Sequence, residues 1–171
     1  MRRVALLAMI AATSAFPLAG CTPAGPLAPL AMDLTPEAGP AYVAMAASSD
    51  MYEIESSRLA LQRSQLPAHR SFAQMMIRDH SNTTAQLTAA ARAVGLVPPA
   101  GMLPMHAQLL SQLAASSNFD ATYHQQQLSA HQMALNLHAN YAARGDRQPL
   151  RAVAATATPG VRMHLEHLRR L

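Results

Sequence analysis

Three histidines stand where helical spacing would bury them. His80 shares a line with Ala73, Met76, Ile77, Thr84, Leu87, Ala91 and Val94. His131 lies on a face with Leu128, Ala134, Leu135 and Ala142, and His164 with Val153, Ala157, Val161, Leu168 and Leu171. A fourth segment offers Glu53 on a narrow face with Ala46, Asp50, Ser57 and Ala60, with Glu55, beside Met51 and Leu59, as its rival. One carboxylate and three imidazoles converging in a core suit a single Zn, Cu or Fe ion bound through Glu53, His80, His131 and His164. The same residues also fit a metal-free reading, in which Glu53, the histidines, Asp120 and Tyr123 form a buried polar network that sets helix register in a structural or protein-interaction bundle.

The elements that must position these residues are helical. Ala, Leu, Gln and Met dominate beyond Pro40, aromatic residues are few, and no stretch alternates like a strand. Segment A is expected from about Ala41 to Gln65, with Val43, Ala47, Ile54 and Leu61 on one line. Segment B starts at Pro67 and stops near Gly95. A breaker-rich stretch with Pro98, Pro99, Gly101 and Pro104 follows, then a short helix over Met105 to Ala115. Segment C runs from Asn118 to Arg144, and segment D fills Asp146 to Leu171 with a bend expected at Pro159. Two helical pairs joined by a long B-to-C connection predict an all-helical, ferritin-like four-helix bundle.

Height along such a bundle brings the chemistry together. Counted from turns at Leu66 and Asp146, Glu53 and His80 differ by ~1–2 Å in level, and His131 and His164 by about one turn. All four fall near mid-bundle, whichever way the two pairs run.

The N-terminus speaks to location. Arg2 and Arg3 precede the apolar run from Val4 to Phe16, which is too short to span a bilayer, and Leu18-Ala19-Gly20-Cys21 follows. This resembles the lipobox of bacterial lipoproteins. The resemblance implies a signal peptide over residues 1–20, lipid on Cys21 and a membrane partner reached through that anchor. Cys21 is the only cysteine, so no internal disulfide competes for it. Residues 21–40 carry five prolines and are expected to be an extended tether before a helical domain over 41–171. The expected site is the cell envelope, facing the periplasm. Thr22 stands where an Asp would resemble an inner-membrane retention signal, which points toward the outer membrane.

Composition excludes other classes. The net charge is +4, which falls to +2 without Arg2 and Arg3, and no run of like charge occurs, so nucleic acid is not an expected partner. No phosphate-cradling glycine loop, serine elbow or CxxC pair is present in the mature part; the reading leans away from an enzyme, and a redox or hydrolytic metalloenzyme, kept as a third reading, would require an open coordination position and a path for substrate. The run Gly101-Met102-Leu103-Pro104-Met105-His106 offers soft ligands for Cu(I), although methionines also fill irregular cores. Gln125-Gln126-Gln127, with His124 and His138, is expected on the solvated face of segment C.

Taken as a set, Glu53-Ile54-Glu55, Leu59-Ala60-Leu61, Phe72-Ala73-Gln74-Met75-Met76, Asp79-His80-Ser81, Phe119-Asp120-x-x-Tyr123, His131-Gln132, and Pro159 followed by His164-Leu165 resemble the bacterial family called domain of unknown function 4142. The resemblance covers about Ala41 to Leu171. It implies an exported ferritin-like bundle without an established activity, and its matching positions are Glu53, His80, Asp120, Tyr123, His131 and His164. Glu55 and Asp79 adjoin them as supporting positions. A di-iron centre of the ferritin type needs Glu-x-x-His on two helices. None occurs here.

Overall fold

Prolines open four of the five helices. In the computed structural model, which describes residues 34–171, α1 is Gly39–Arg63, α2 Pro67–Ala93, α3 Pro104–Ala115, α4 Phe119–Arg144 and α5 Gln148–Leu168. Pro40, Pro67, Pro104 and Pro149 occupy the first or second helical position of α1, α2, α3 and α5. There the missing N–H has no intrahelical acceptor to lose. The helix boundaries fall within three residues of the expected ones, and no strand occurs among the described residues. Pro159 sits inside α5 without ending it. The signal peptide, Cys21, Thr22 and most of the expected tether lie outside the described residues. No described helix is long and apolar enough to cross a membrane.

The end of the tether is docked. Asn140 donates to the Thr35 carbonyl (2.6 Å), the Asp146 amide to the Glu37 carbonyl (3.0 Å), and the Gly39 amide to Asp146 Oδ1 (2.8 Å). Ala38, the residue before α1, has no side chain able to cap, so the carboxylate of Asp146 in the α4–α5 turn supplies that function from elsewhere in the chain. Gly95, with φ of 75°, closes α2: its amide bonds to the Arg92 carbonyl, and that of Leu96 to Ala91.

Helix α1 packs along α2 and α4 along α5, the pairs meet through α1–α4 and α2–α5, and α3 rests on α1 and α4. Two apolar clusters form. One gathers Tyr42, Val43, Leu87, Ala91, Leu137, Tyr141 and Leu150, with the rings of Tyr42 and Tyr141 stacked at 3.8 Å. The other gathers Ala60, Phe72, Met76, Leu113, Phe119, Tyr123 and Leu168. On each long helix, the candidate site residue falls in sequence between members of these clusters: Glu53 between Ala47 and Ala60, His80 between Met76 and Leu87, His131 between Tyr123 and Leu137, His164 between Ala154 and Leu168. Sequence spacing alone therefore inserts a polar layer between two apolar ones.

Candidate metal centre

The layer receives one imidazole each from α2, α4 and α5. His80, His131 and His164 are 4%, 1% and 4% exposed, and one ring nitrogen from each lies within 4.8 Å of the other two. Their ring centroids are 5.5 to 5.8 Å apart.

Each ring is fixed from behind. His80 Nδ1 is 2.8 Å from Asp50 Oδ1, His131 Nδ1 is 2.9 Å from the Gln127 carbonyl, and His164 Nε2 is 3.1 Å from Asp79 Oδ2. Carboxylate and carbonyl oxygens only accept, so the ring N–H donates in every case. In each neutral ring the lone pair then resides on the other nitrogen. Those nitrogens, His80 Nε2, His131 Nε2 and His164 Nδ1, are buried and have no hydrogen-bond partner. An orienting oxygen behind each imidazole is the arrangement that metal-binding histidines use, because it sets both tautomer and ring angle.

The titrating groups of the layer act on one another. Burial, reinforced by the neighbouring His80, holds His131 well below the ordinary imidazole range and His164 down at about 4. Both are therefore neutral at pH 7 and competent to ligate. Burial alone would lower His80 too, but its bond to Asp50 and that carboxylate's charge outweigh it, and the ring lies above its ordinary value. Glu53 is 1% exposed, and neither of its oxygens has a hydrogen-bond partner. Burial pushes its carboxyl up to about 7, against the lowering influence of His80. A carboxylate buried without a partner is costly unless a positive charge faces it.

The expected residues divide accordingly. The three histidines converge. Glu53 stands beside them, with Oε1 3.6 Å from His131 Nδ1, but is not one of the trio whose ligand atoms cluster. Asp79 supports His164. The structure does not bring the other three supporting positions to the histidines: Glu55 pairs with Arg58 on the surface, Asp120 with His69 (3.2 Å), and Tyr123 with Ser57 (3.0 Å). The glutamine run departs in part from the solvated face expected of it, since Gln125 is exposed but its two neighbours are not. Gln126 and Gln127 are buried, accepting from Tyr52 (3.0 Å) and donating to Ser56 (3.0 Å) respectively, and His138 is buried against Tyr42 (3.0 Å).

Sequence reasoning passed over Asp50 and the Gln127 carbonyl. A backbone acceptor carries no signal in residue types. Asp50 did carry one, as a second acid one turn before Glu53 on the same inward face, 4% exposed in the fold. Thr84 Oγ1, one turn beyond His80, is 2.8 Å from the His80 carbonyl and 3.2 Å from the other oxygen of Asp50, and its one proton can serve either. A cleft of about 150 Å³ between α2 and α5, lined by Asp79, His80, Thr83, Gln86, Gly160 and His164 among others, reaches two of the three histidines from outside.

Solved proteins share this fold. CopM in a Cu(II)-bound form is 20% identical with a TM-score of 0.66, over 78% of this chain and 94% of CopM. CopM in a Cu(I)-bound form is 16% identical (TM-score 0.65, 78% and 94%). A DUF305 fragment from Deinococcus radiodurans is 17% identical (TM-score 0.66, 79% and 94%). At such identities the likeness speaks to fold alone. No curated protein matches the sequence. The profile of the family described as Domain of unknown function (DUF4142) matches residues 26–171, taking in all five helices and every residue of the histidine layer, and the chain belongs to that family.

Proposed function

We propose that this protein is a cell-envelope lipoprotein whose ferritin-like four-helix bundle holds one transition-metal ion through His80, His131 and His164, with Glu53 supplying negative charge beside it. The observation that carries the reading is the set of three buried, uncommitted imidazole nitrogens, each on a ring whose opposite nitrogen is tied to an oxygen. Neutral imidazoles suit Zn, Cu and Fe. That CopM, of the same fold, was solved in Cu(II)- and Cu(I)-bound forms supports copper among these. The cleft between α2 and α5 gives the ion a way in. Lipid at Cys21 would place the bundle on the periplasmic side of a membrane, the outer one by the residue at Thr22. Loss of labelled fatty acid in a Cys21→Ser variant checks the anchor.

Copper titration of the full chain carrying Cys21→Ser tests the site. About one equivalent of Cu(II) should survive desalting and show nitrogen hyperfine structure in its electron paramagnetic resonance spectrum. His131→Ala should abolish retention. Less than about a tenth of an equivalent, after incubation with Cu, Zn or Fe in turn, would sink the proposal.

A second reading is favoured by the Asp50–His80 and Asp79–His164 bonds, which tie α1 to α2 and α2 to α5 without any ion. In that reading the layer is purely structural. His80→Ala and His131→Ala would then destabilise the protein equally with or without a chelator.

A further inference from the structure

A second group of soft donors gathers away from the histidine layer. A cavity of about 10 Å³ is lined by Met45 of α1, Met105 and His106 of α3, and Met133 of α4, together with Ser49. It shares no residue with the three-histidine set. We propose that Met45, Met105, Met133 and His106 form a separate site for a soft monovalent cation, Cu(I) or Ag(I).

The cavity has the size of the ligand. It offers about the space of one water molecule, and three methionines with Leu34, Ala134 and Leu137 make most of its wall, leaving Ser49 and His106 as its hydrogen-bonding side chains. Thioether sulfur is a soft ligand that prefers Cu(I) to hard or borderline ions. Flexible methionines ordinarily close the gaps they line. Here three of them, from three helices, surround a gap and leave it open.

His106 makes the group more than a packing seam. The side chain is 3% exposed, and its Nδ1 lies 2.6 Å from Ser48 Oγ, which also accepts the Leu103 amide at 2.7 Å. The serine oxygen has two lone pairs, enough for both donors. In the tautomer where Nδ1–H donates to Ser48, the Nε2 lone pair is free to ligate. The Ser48–Leu103 bond also fixes the start of α3, and with it the position of Met105 and His106. Met102, which the sequence run placed beside these two, does not line the cavity; Met45 and Met133, far away in sequence, take its place.

Silver and methionine-methyl NMR provide the test. Full chain carrying Cys21→Ser and His131→Ala, which removes the lone thiol and one ligand of the other centre, is titrated with Ag(I). About one equivalent should bind, with sulfur scattering at the metal by X-ray absorption, and the methyl resonances of Met45, Met105 and Met133 should shift while the remaining methionines stay still. Met105→Leu with Met133→Leu keeps core volume and should abolish that binding, while Cu(II) uptake at the histidines of the parent chain is unaffected by the same pair. Should the double variant fold poorly, the methyl shifts of the Cys21→Ser, His131→Ala chain decide alone. No stoichiometric silver, shifts confined to other methionines, or sulfur ligation persisting in the folded double variant would each overturn the site.

Discussion

Glu53 and Asp50 lie one turn apart on one face of α1, and their environments give them opposite roles. Asp50 accepts from His80 Nδ1 and stands 3.2 Å from Thr84 Oγ1, whereas Glu53 is buried and neither of its oxygens accepts a hydrogen bond. Glu53→Gln should therefore stabilise the apo protein, because it removes a carboxyl raised to about 7 by burial. The sign follows from linkage: with a folded value above the unfolded one, Glu53 weighs against folding increasingly as pH rises from about 4.5 to about 7. The gain should therefore be seen at pH 8, on the order of 1–3 kcal/mol, and vanish near pH 4. The same change should weaken metal retention. Thermal melts of apo and loaded protein at both pH values check the pair of effects, and a variant no more stable than wild type at pH 8 counts against an unpaired Glu53. Asp50→Asn keeps the shape but loses the charge that orients His80, and should cost about 10–100-fold in metal affinity, measured by competition with a chelator. The three histidines were legible because an imidazole on an otherwise apolar helical line is conspicuous. The residues that orient them were only partly so: Asp79 adjoins His80 in sequence and serves His164 instead, and whether Glu53 or Glu55 faced inward turned on a face narrowed by Ala46 and Ala60.

At the level of helices, the ends were easier to read than the faces. Prolines at the first turns and Gly95 after the last one mark boundaries by backbone chemistry alone. The cap of α1 was not readable, since its carboxylate comes from Asp146, which is 107 residues from Gly39. Asp146 Oδ1 also accepts from Tyr141 Oη (2.8 Å), so one side chain joins the start of α1 to the end of α4. Asp146→Ala should cost about 1–2 kcal/mol, as loss of a strong N-cap does, and should loosen the amides of Gly39 to Tyr42 in hydrogen exchange. Protection unchanged there would mean the cap is dispensable. Burial of Gln126 and Gln127 defeated the polar-out expectation for this part of α4 because Tyr52 and Ser56 on α1 hydrogen-bond them inside, and residue types on one helix do not disclose the partners on another. The buried His138 gives α4 a pH dependence. Burial holds it at about 4, against an ordinary value of 6.5. Its stabilisation is complete above the unfolded value and is lost as pH falls from about 6.5 to about 4, because only the unfolded chain takes up the proton there. His138→Gln should flatten the stability profile in that window, an effect bounded by about 3 kcal/mol. A slope identical to wild type in urea unfolding would show that another group dominates.

Across the whole molecule, the histidine layer separates two apolar clusters, so each helix pair meets the other partly through groups that do not cohere by hydrophobic burial. The level of this layer followed from the sequence through one quantity, the number of residues between each candidate and its nearest turn; the three histidines meet there and Glu53 stands beside them. The lateral arrangement did not follow, because periodicity fixes which face a residue occupies and not which neighbouring helix it meets. An ion held by His80 of α2, His131 of α4 and His164 of α5 would tie both helix pairs together at the level of the polar layer. Binding to the folded state only should then raise stability by about 2.7 kcal/mol at a free ion concentration of 100 times Kd. The increase should be cooperative, raising hydrogen-exchange protection in the middle turns of α2, α4 and α5 together and leaving the α1–α2 turn near Leu66 unchanged. His131→Ala should erase the metal-dependent part and leave apo protection in both apolar clusters. If metal protected only one helix, the ion would be bound at a surface residue, and the layer would be a polar seam that the two clusters hold shut on their own.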